Sequence, residues 1–269
     1  MVSDFTGSVV QVDPDQRRLI ARIAVPGAPQ PITADAGGVW VQTAGAHCEG
    51  TLLRIDADRR IVNRTALAYP SEQDGALAPA GRGVWVKRGC ASREGIDRLD
   101  PAGGVTARVS LSSVDGLAAA AGDLWVIGHD GTLSQIDRRS GRVRRRWPGL
   151  APLADPNTSA TKALAADPTG VWVISTGRTT ILRVEAGRVV RRIAVDAPAR
   201  PLIAMAPDGL WIASADRLGG DNRLIRIDPE TGRPTAALAL GTQRPVAIAP
   251  AGDQLCVLTA DGKVLFVRS

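Results

Sequence analysis

Five tryptophans, Trp40, Trp85, Trp125, Trp172 and Trp211, stand 45, 40, 47 and 39 residues apart, and Cys256 takes the same slot 45 residues after the last. The fullest copy of the unit they mark runs from Arg200 to Gly241. It reads P-L-I-A-M-A-P-D-G-L-W-I-A-S, then a polar loop from Ala215 to Arg223, then L-I-R-I-D-P-E-T-G-R-P-T-A-A-L-A-L-G. Its apolar runs, 201–206, 209–213, 224–228 and 234–240, are separated by Pro-Asp-Gly, by the loop and by Asp-Pro-Glu-Thr-Gly, all of which reverse a chain. Four short strands joined this way form an antiparallel meander. One such sheet has two apolar faces and cannot bury both alone. Copies at a period of 40–45 residues must therefore stack face to face, and the arrangement that suits this period is a β-propeller.

The repeat runs without a linker, which makes residues 1–269 a single propeller domain. Strands are lettered A to D from the axis outward. Five repeats supply all four. The last supplies A at 246–249, B at 254–258 and C at 263–268 but no D, while the N-terminal piece, 1–25, supplies a C-like strand at 8–13 and a D-like strand at 18–25. A ring has no exposed sheet edge between its ends only when the last blade closes on the first. The expectation is an all-β propeller of six four-stranded blades with the N-terminal D strand completing the last; the spare C-like strand keeps seven as the alternative. A chain that starts in mid-repeat is either a piece of a longer, exported or membrane-tethered parent or a ring closed by its own N-terminus. Location is extracytoplasmic in the first case and cytoplasmic in the second. The A strands are rich in alanine (A-L-A-P-A, G-L-A-A-A-A, A-L-A-A-D), as suits strands crowded around a narrow axis.

The formal charge of +6 favours acidic partners, but arginines are spread along the whole chain. The dense runs, Arg142, Arg144, Arg145 and Arg146, then Arg188, Arg191 and Arg192, fall on D strands, where charge keeps sheet edges apart. No aromatic stacking platform accompanies them, which argues against nucleic acid. No apolar run approaches the roughly 18 residues of a membrane helix. No nucleophile elbow, phosphate loop or dinucleotide fingerprint occurs in a supporting context.

The pattern G-x-W-[VI] followed by L-x-R-I-D-P-x-T-G resembles the virginiamycin B lyase-like and YVTN-type β-propeller superfamily. Gly38–Val41, Leu53–Asp56, Gly83–Val86, Leu99–Pro101, Leu124–Ile127, Gly170–Val173, Gly209–Ile212 and Ile225–Gly232 carry it, over essentially the whole chain. The resemblance implies the fold. Members include a streptogramin-cleaving lyase that uses histidine, glutamate and magnesium, with its histidines in later blades. No histidine follows His129 here, so no catalytic residue is transferred.

In such a ring the A–B and C–D connections share one rim, and the B–C and D–A connections share the other. The first set is terse (D-P-T-G, A-P-D-G, D-P-E-T-G). The second is long and variable: Gln42–Gly50, Ala68–Gly75, Lys87–Gly95, Pro148–Thr161 and Ala215–Arg223. Variable loops on a rigid scaffold are where binding resides. The reading is therefore a binding or interaction module, acting as a monomer, with a small molecule, glycan or protein at the channel mouth on that rim. Candidate contacts are His47, Arg88, His129, Arg178, Asp216 and Arg244. The alternatives are an enzyme at the same mouth, with His129 opposite Glu49 or Glu94 as an acid/base pair, and a purely structural repeat. Cys48 and Cys90, in B–C loops of neighbouring repeats, are a disulfide candidate across blades. Together with His47 and His129 they lack the compact ligand pairs of a zinc site, so neither metal nor cofactor is expected. Acidic and amide residues in the loops (Glu72, Gln73, Asp74; Asp155, Asn157; Asp216, Asp221, Asn222) read as turn formers, as does the Asp of each I-D-P.

Overall fold

The computed structural model describes residues 2–4, 7–13, 15–16, 18–35, 37–44, 49–68, 76–89, 94–150, 162–175, 180–195, 202–214, 222–251, 253–261 and 263–268. Its regular structure is all β. Sheet 1 holds β1 (Val2–Asp4), β2 (Ser8–Asp13) and β3 (Arg18–Ala24), and sheet 2 holds β4 (Ala28–Asp35), β5 (Gly38–Ala44), β6 (Glu49–Ile55) and β7 (Ile61–Ala68). Sheet 3 follows with β8 (Leu77–Pro79), β9 (Val84–Arg88), β10 (Gly95–Leu99) and β11 (Val105–Ser110), and sheet 4 with β12 (Gly116–Ala120), β13 (Asp123–Ile127), β14 (Leu133–Asp137) and β15 (Val143–Trp147). Sheet 5 comprises β16 (Lys162–Asp167), β17 (Gly170–Ser175), β18 (Thr180–Glu185) and β19 (Arg188–Ala194), and sheet 6 comprises β20 (Leu202–Ala206), β21 (Gly209–Ser214), β22 (Asn222–Ile227) and β23 (Pro234–Gly241). Sheet 7 is β24 (Pro245–Ala251), β25 (Gln254–Thr259) and β26 (Val264–Arg268). Inner strands touch from sheet to sheet, β4 to β8 and on to β24, and β1 touches both β4 and β25, which closes the ring.

The expected propeller of four-stranded antiparallel blades is what the chain forms, with strand bounds within a residue or two of the repeat reading. The place of the N-terminal D-like strand is corrected by the hydrogen bonding. Among the described residues the sheets number seven, five of four strands and two of three, and β3 stays with β2 instead of completing sheet 7. Packing explains this. Val9 of β2 enters a cluster with Val41 and Leu53 of sheet 2, while Val10 meets Leu258 of sheet 7. Residues 8–13 thus have a neighbour on each face, and β1 serves as their inner partner.

Each repeat tryptophan is buried between its own sheet and the next. Trp40 packs with Val84 and Val86, Trp85 with Leu124 and Val126, Trp125 with Val171 and Val173, Trp172 with Leu210 and Ile212, and Trp211 with Leu255 and Val257. An indole buries about 150–250 Å², so each contributes roughly 4–6 kcal/mol of apolar burial. Cys256 takes the slot in sheet 7 as a buried thiol, and burial pushes its pKa up.

The letters that repeat around the indole have local causes on the A–B/C–D rim. Register puts Arg54 opposite Trp40, Arg183 opposite Trp172 and Arg226 opposite Trp211. Their guanidinium carbons lie 5.7, 5.0 and 5.8 Å from the ring centroids, within cation–π range. An A–B turn carboxylate completes each unit. Trp40 Nε1 donates to Asp35 and Trp211 Nε1 to Asp208, both at 3.0 Å, and Arg183 donates to both oxygens of Asp167 at 2.7 and 2.8 Å. Burial alone would raise the Asp167 carboxyl, but Arg183 and Thr169 outweigh it and hold it at about 2. The glycine of G-x-W lies flat on the third strand: a Cβ on Gly83, at φ 119°, would sit 2.2 Å from the Leu99 carbonyl oxygen.

The C–D turns repeat as faithfully. Asp13, Asp100, Asp137 and Asp228 each accept two backbone N–H groups, and Asp56 accepts that of Arg60, as the I-D-P reading expects. The turn glycine presses on the preceding sheet. Gly141, at φ 75°, would place a Cβ 3.1 Å from the Trp85 ring, and Trp85 Nε1 donates to the Arg138 carbonyl in the same turn.

Candidate binding rim

The other rim is built differently, and its best-described sector spans sheets 3 and 4. Lys87 shares a face of β9 with Trp85 because side chains alternate along a strand, and it is 3% exposed. Its Nζ lies 3.9 Å from Glu94 Oε1, and Glu94 Oε2 accepts the Val114 N–H at 2.6 Å. One carboxylate thus neutralises an inward lysine and ties the B–C connection of sheet 3 to the connection that leads into sheet 4. A buried charge without such a partner is strongly destabilising.

Next to it, Arg88 Nε donates to Asp97 Oδ1 at 2.8 Å, with Arg108 Nε 3.7 Å from the other oxygen. In sheet 4, His129 sits in the tight Gly128–Thr132 turn, where Gly131 has φ 79° as a hairpin glycine should. The His129 N–H donates to Ser113 Oγ at 2.8 Å, and its Nδ1 is 3.5 Å from Asp115 Oδ1. A shallow depression lies alongside, lined by Ser112, Ser113, Gly128, Thr132, Ser134 and Arg146. Across the ring, Arg244 is exposed in the connection from β23 to β24, and its carbonyl accepts the Ala260 N–H at 2.8 Å. On the nearby β25–β26 turn, ion pairing with Lys263 at 2.7 Å and the Thr259 hydroxyl hold the Asp261 carboxyl at about 2.

Of the residues singled out from sequence, Arg88, His129 and Arg244 are described; they belong to three different parts of the ring, Arg88 paired with Asp97, His129 with Asp115, and Arg244 bonded to Ala260 through its carbonyl. His47, Arg178, Asp216, Cys48 and Cys90 lie outside the described residues, as do Glu72, Gln73, Asp74, Asp155, Asn157 and Asp221. Asn222 is buried and donates to the Gly241 carbonyl at 2.7 Å, a structural duty. The acid/base pairing of His129 with Glu94 is replaced by other partners: His129 faces Asp115, and Glu94 is engaged with Lys87 and Val114. The Glu49 side chain is outside what is described. Sequence reasoning passed over Lys87, Glu94 and Asp115 as a group. Lys87 was findable from strand alternation, since it follows Trp85 at the same-face spacing, whereas Asp115 lies 14 residues from His129 in the chain and meets it only through the turn. Among the described residues no three His, Cys, Asp or Glu side chains gather as metal ligands, and no helix is long and apolar enough to cross a membrane.

No family model matches the sequence, and no curated protein matches it. Among solved structures, a chain in the crystal structure of the Mitotic Checkpoint Complex is similar at 14% identity. The match covers 98% of this chain and 82% of that one, with a TM-score of 0.70. At that identity the likeness is one of fold, and what the two chains share is the ring of antiparallel sheets.

Proposed function

We propose that the chain acts as one protein-binding propeller and takes its partner on the B–C/D–A rim at the channel mouth. His47, Arg88, His129, Arg178, Asp216 and Arg244 are its contacts in this reading. The supporting observation is the division of labour between rims. Carboxylates of the A–B/C–D rim are occupied by turn backbone, by the Trp40 and Trp211 N–H groups and by stacked arginines, whereas His129 on the other rim is 46% exposed and Arg244 stands in solvent. A net charge of +6 favours an acidic partner surface. The structural neighbour is a chain of the Mitotic Checkpoint Complex, which supports a protein rather than a small molecule as partner. The motif likeness to YVTN-type propellers supports the same reading.

The test begins with affinity capture from the source cells, followed by calorimetry with the purified partner. The triple variant Arg88→Ala, His129→Ala, Arg244→Ala is expected to weaken binding at least tenfold, about 1.4 kcal/mol. The variant Arg60→Ala, Arg139→Ala on the opposite rim is expected to bind as the parent does. Equal losses from both variants, or loss only from the second, would overturn the assignment.

A further inference from the structure

We infer that the depression beside His129 receives one carboxylate, carried by an aspartate or glutamate side chain of the partner; this rests on the rim reading and adds to it the group that is bound. The template is the same place one sheet earlier. Strand register lays three residues in a row across the second, third and fourth strands: Val86, Asp97 and Arg108 in sheet 3, and Val126, Ser134 and Arg146 in sheet 4. In sheet 3 the middle residue is itself a carboxylate, with Arg88 Nε at 2.8 Å from one oxygen and Arg108 Nε at 3.7 Å from the other. Sheet 4 lacks two of these side chains. Ser134 stands where Asp97 does, and Gly128, three residues after Trp125, stands where Arg88 follows Trp85. Only the outer arginine is kept. In the other four-stranded sheets the middle residue is Leu53, Leu182 or Ile225, and an apolar side chain fills the row.

The two exchanges leave a space with a cation at its edge. Ser134 is 3% exposed and lines the depression, yet its hydroxyl has no hydrogen-bond partner among the described residues. Buried hydroxyls are nearly always bonded, so this one points to a group that enters. Arg146 makes a single hydrogen bond, to the Ser110 carbonyl at 3.3 Å, and has no carboxylate partner among the described residues, whereas Arg144 on the same strand has Asp123 and Asp137. Ser113 Oγ accepts the His129 N–H, which leaves its own proton to donate. One guanidinium and two hydroxyls therefore converge as donors, the set an oxyanion takes. The Asp130 carboxylate is turned into its own loop, where it accepts the Thr132 N–H and hydroxyl, both at 2.9 Å. The depression has room for about one or two water-sized groups, so it takes the tip of a side chain and not a whole metabolite.

The test titrates the full, isotope-labelled chain with N-acetyl-glutamate methylamide at fixed ionic strength and follows its amide resonances. The glutamine analogue and inorganic phosphate are titrated alongside. Saturable shifts are expected at Ser113, Gly128 and Ser134, with the glutamine analogue and phosphate each bound about fivefold more weakly or worse. Arg146→Gln should weaken the glutamate compound by about fivefold or more, and Ser134→Asp, which supplies the carboxylate from within as sheet 3 does, should abolish its shifts. Arg64→Gln, at the matching place in sheet 2, should change binding by less than about twofold. No saturable shift, a glutamine analogue as tight as glutamate, tighter binding of phosphate, or equal losses from Arg146→Gln and Arg64→Gln would overturn the proposal. Failure of the rim reading looks different: the triple variant would then keep its partner while the parent chain still binds the glutamate compound here.

Discussion

The two rims of the ring solve opposite problems with the same residue types. On the A–B/C–D rim, aspartates bind backbone: Asp100, Asp137 and Asp228 each hold two N–H groups of their own turn, and Asp35 accepts from Trp40, Gly37 and Gly83 of the next sheet. All of these bonds but the one from Gly83 are local, so the same letters recur from repeat to repeat. On the B–C/D–A rim, carboxylates meet side chains carried by other connections, as Glu94 meets Lys87 and Asp115 meets His129. Such pairs need not repeat, because nothing in the blade demands them. A periodic rim is a scaffold, and an aperiodic one is free to be specific.

The largest effect should come from the aperiodic rim. Glu94→Gln leaves Lys87 buried beside a neutral amide and is expected to cost about 3–5 kcal/mol in denaturant unfolding, with Lys87→Met in the same chain restoring most of it. On the periodic rim, Asp167→Ala strips Arg183, itself 5% exposed, of two hydrogen bonds but leaves Glu185 at 2.9 Å, so about 2–3 kcal/mol is expected. The acid limb sharpens this. The folded Asp167 carboxyl sits at about 2, below the ordinary value near 4, so its stabilisation is complete above about pH 4 and is lost as pH falls toward 2. Asp167→Asn should accordingly flatten the stability curve over that interval, measured by urea midpoints against pH.

Gly141→Ala tests the stapling of one sheet to the last. It forces an L side chain to positive φ against Trp85, and about 1–3 kcal/mol of destabilisation is expected from thermal melts. Smaller still is the difference between two indoles. Trp40 Nε1 donates to Asp35, whereas Trp172 Nε1 has no hydrogen-bond acceptor among the described residues. Trp40→Phe should therefore cost about 1 kcal/mol more than Trp172→Phe. Arg244→Ala, exposed and on the aperiodic rim, should shift stability by less than about 0.5 kcal/mol; a larger loss would mean that this rim also carries scaffold duties.

Strand order, turn positions and the burial of the indoles followed from period and alternation, because a meander's hydrogen bonds join chain neighbours and its turns announce themselves in Gly, Pro and Asp. The Trp40–Arg54 and Trp211–Arg226 stacks follow from strand register, which fixes who faces whom once neighbouring strands pair. Closure was another matter. The D-like strand 18–25 invited a place in the last blade and 8–13 read as a spare third strand, yet the two faces of β2 each found a neighbouring sheet, a contact between chain ends that no local pattern encodes. The pairing of His129 with Asp115, and of Lys87 with Glu94 and Val114, was likewise decided by how two sheets abut. Local periodicity determines what each blade is; only packing around a closed ring decides how many fit and which side chains meet across the seams.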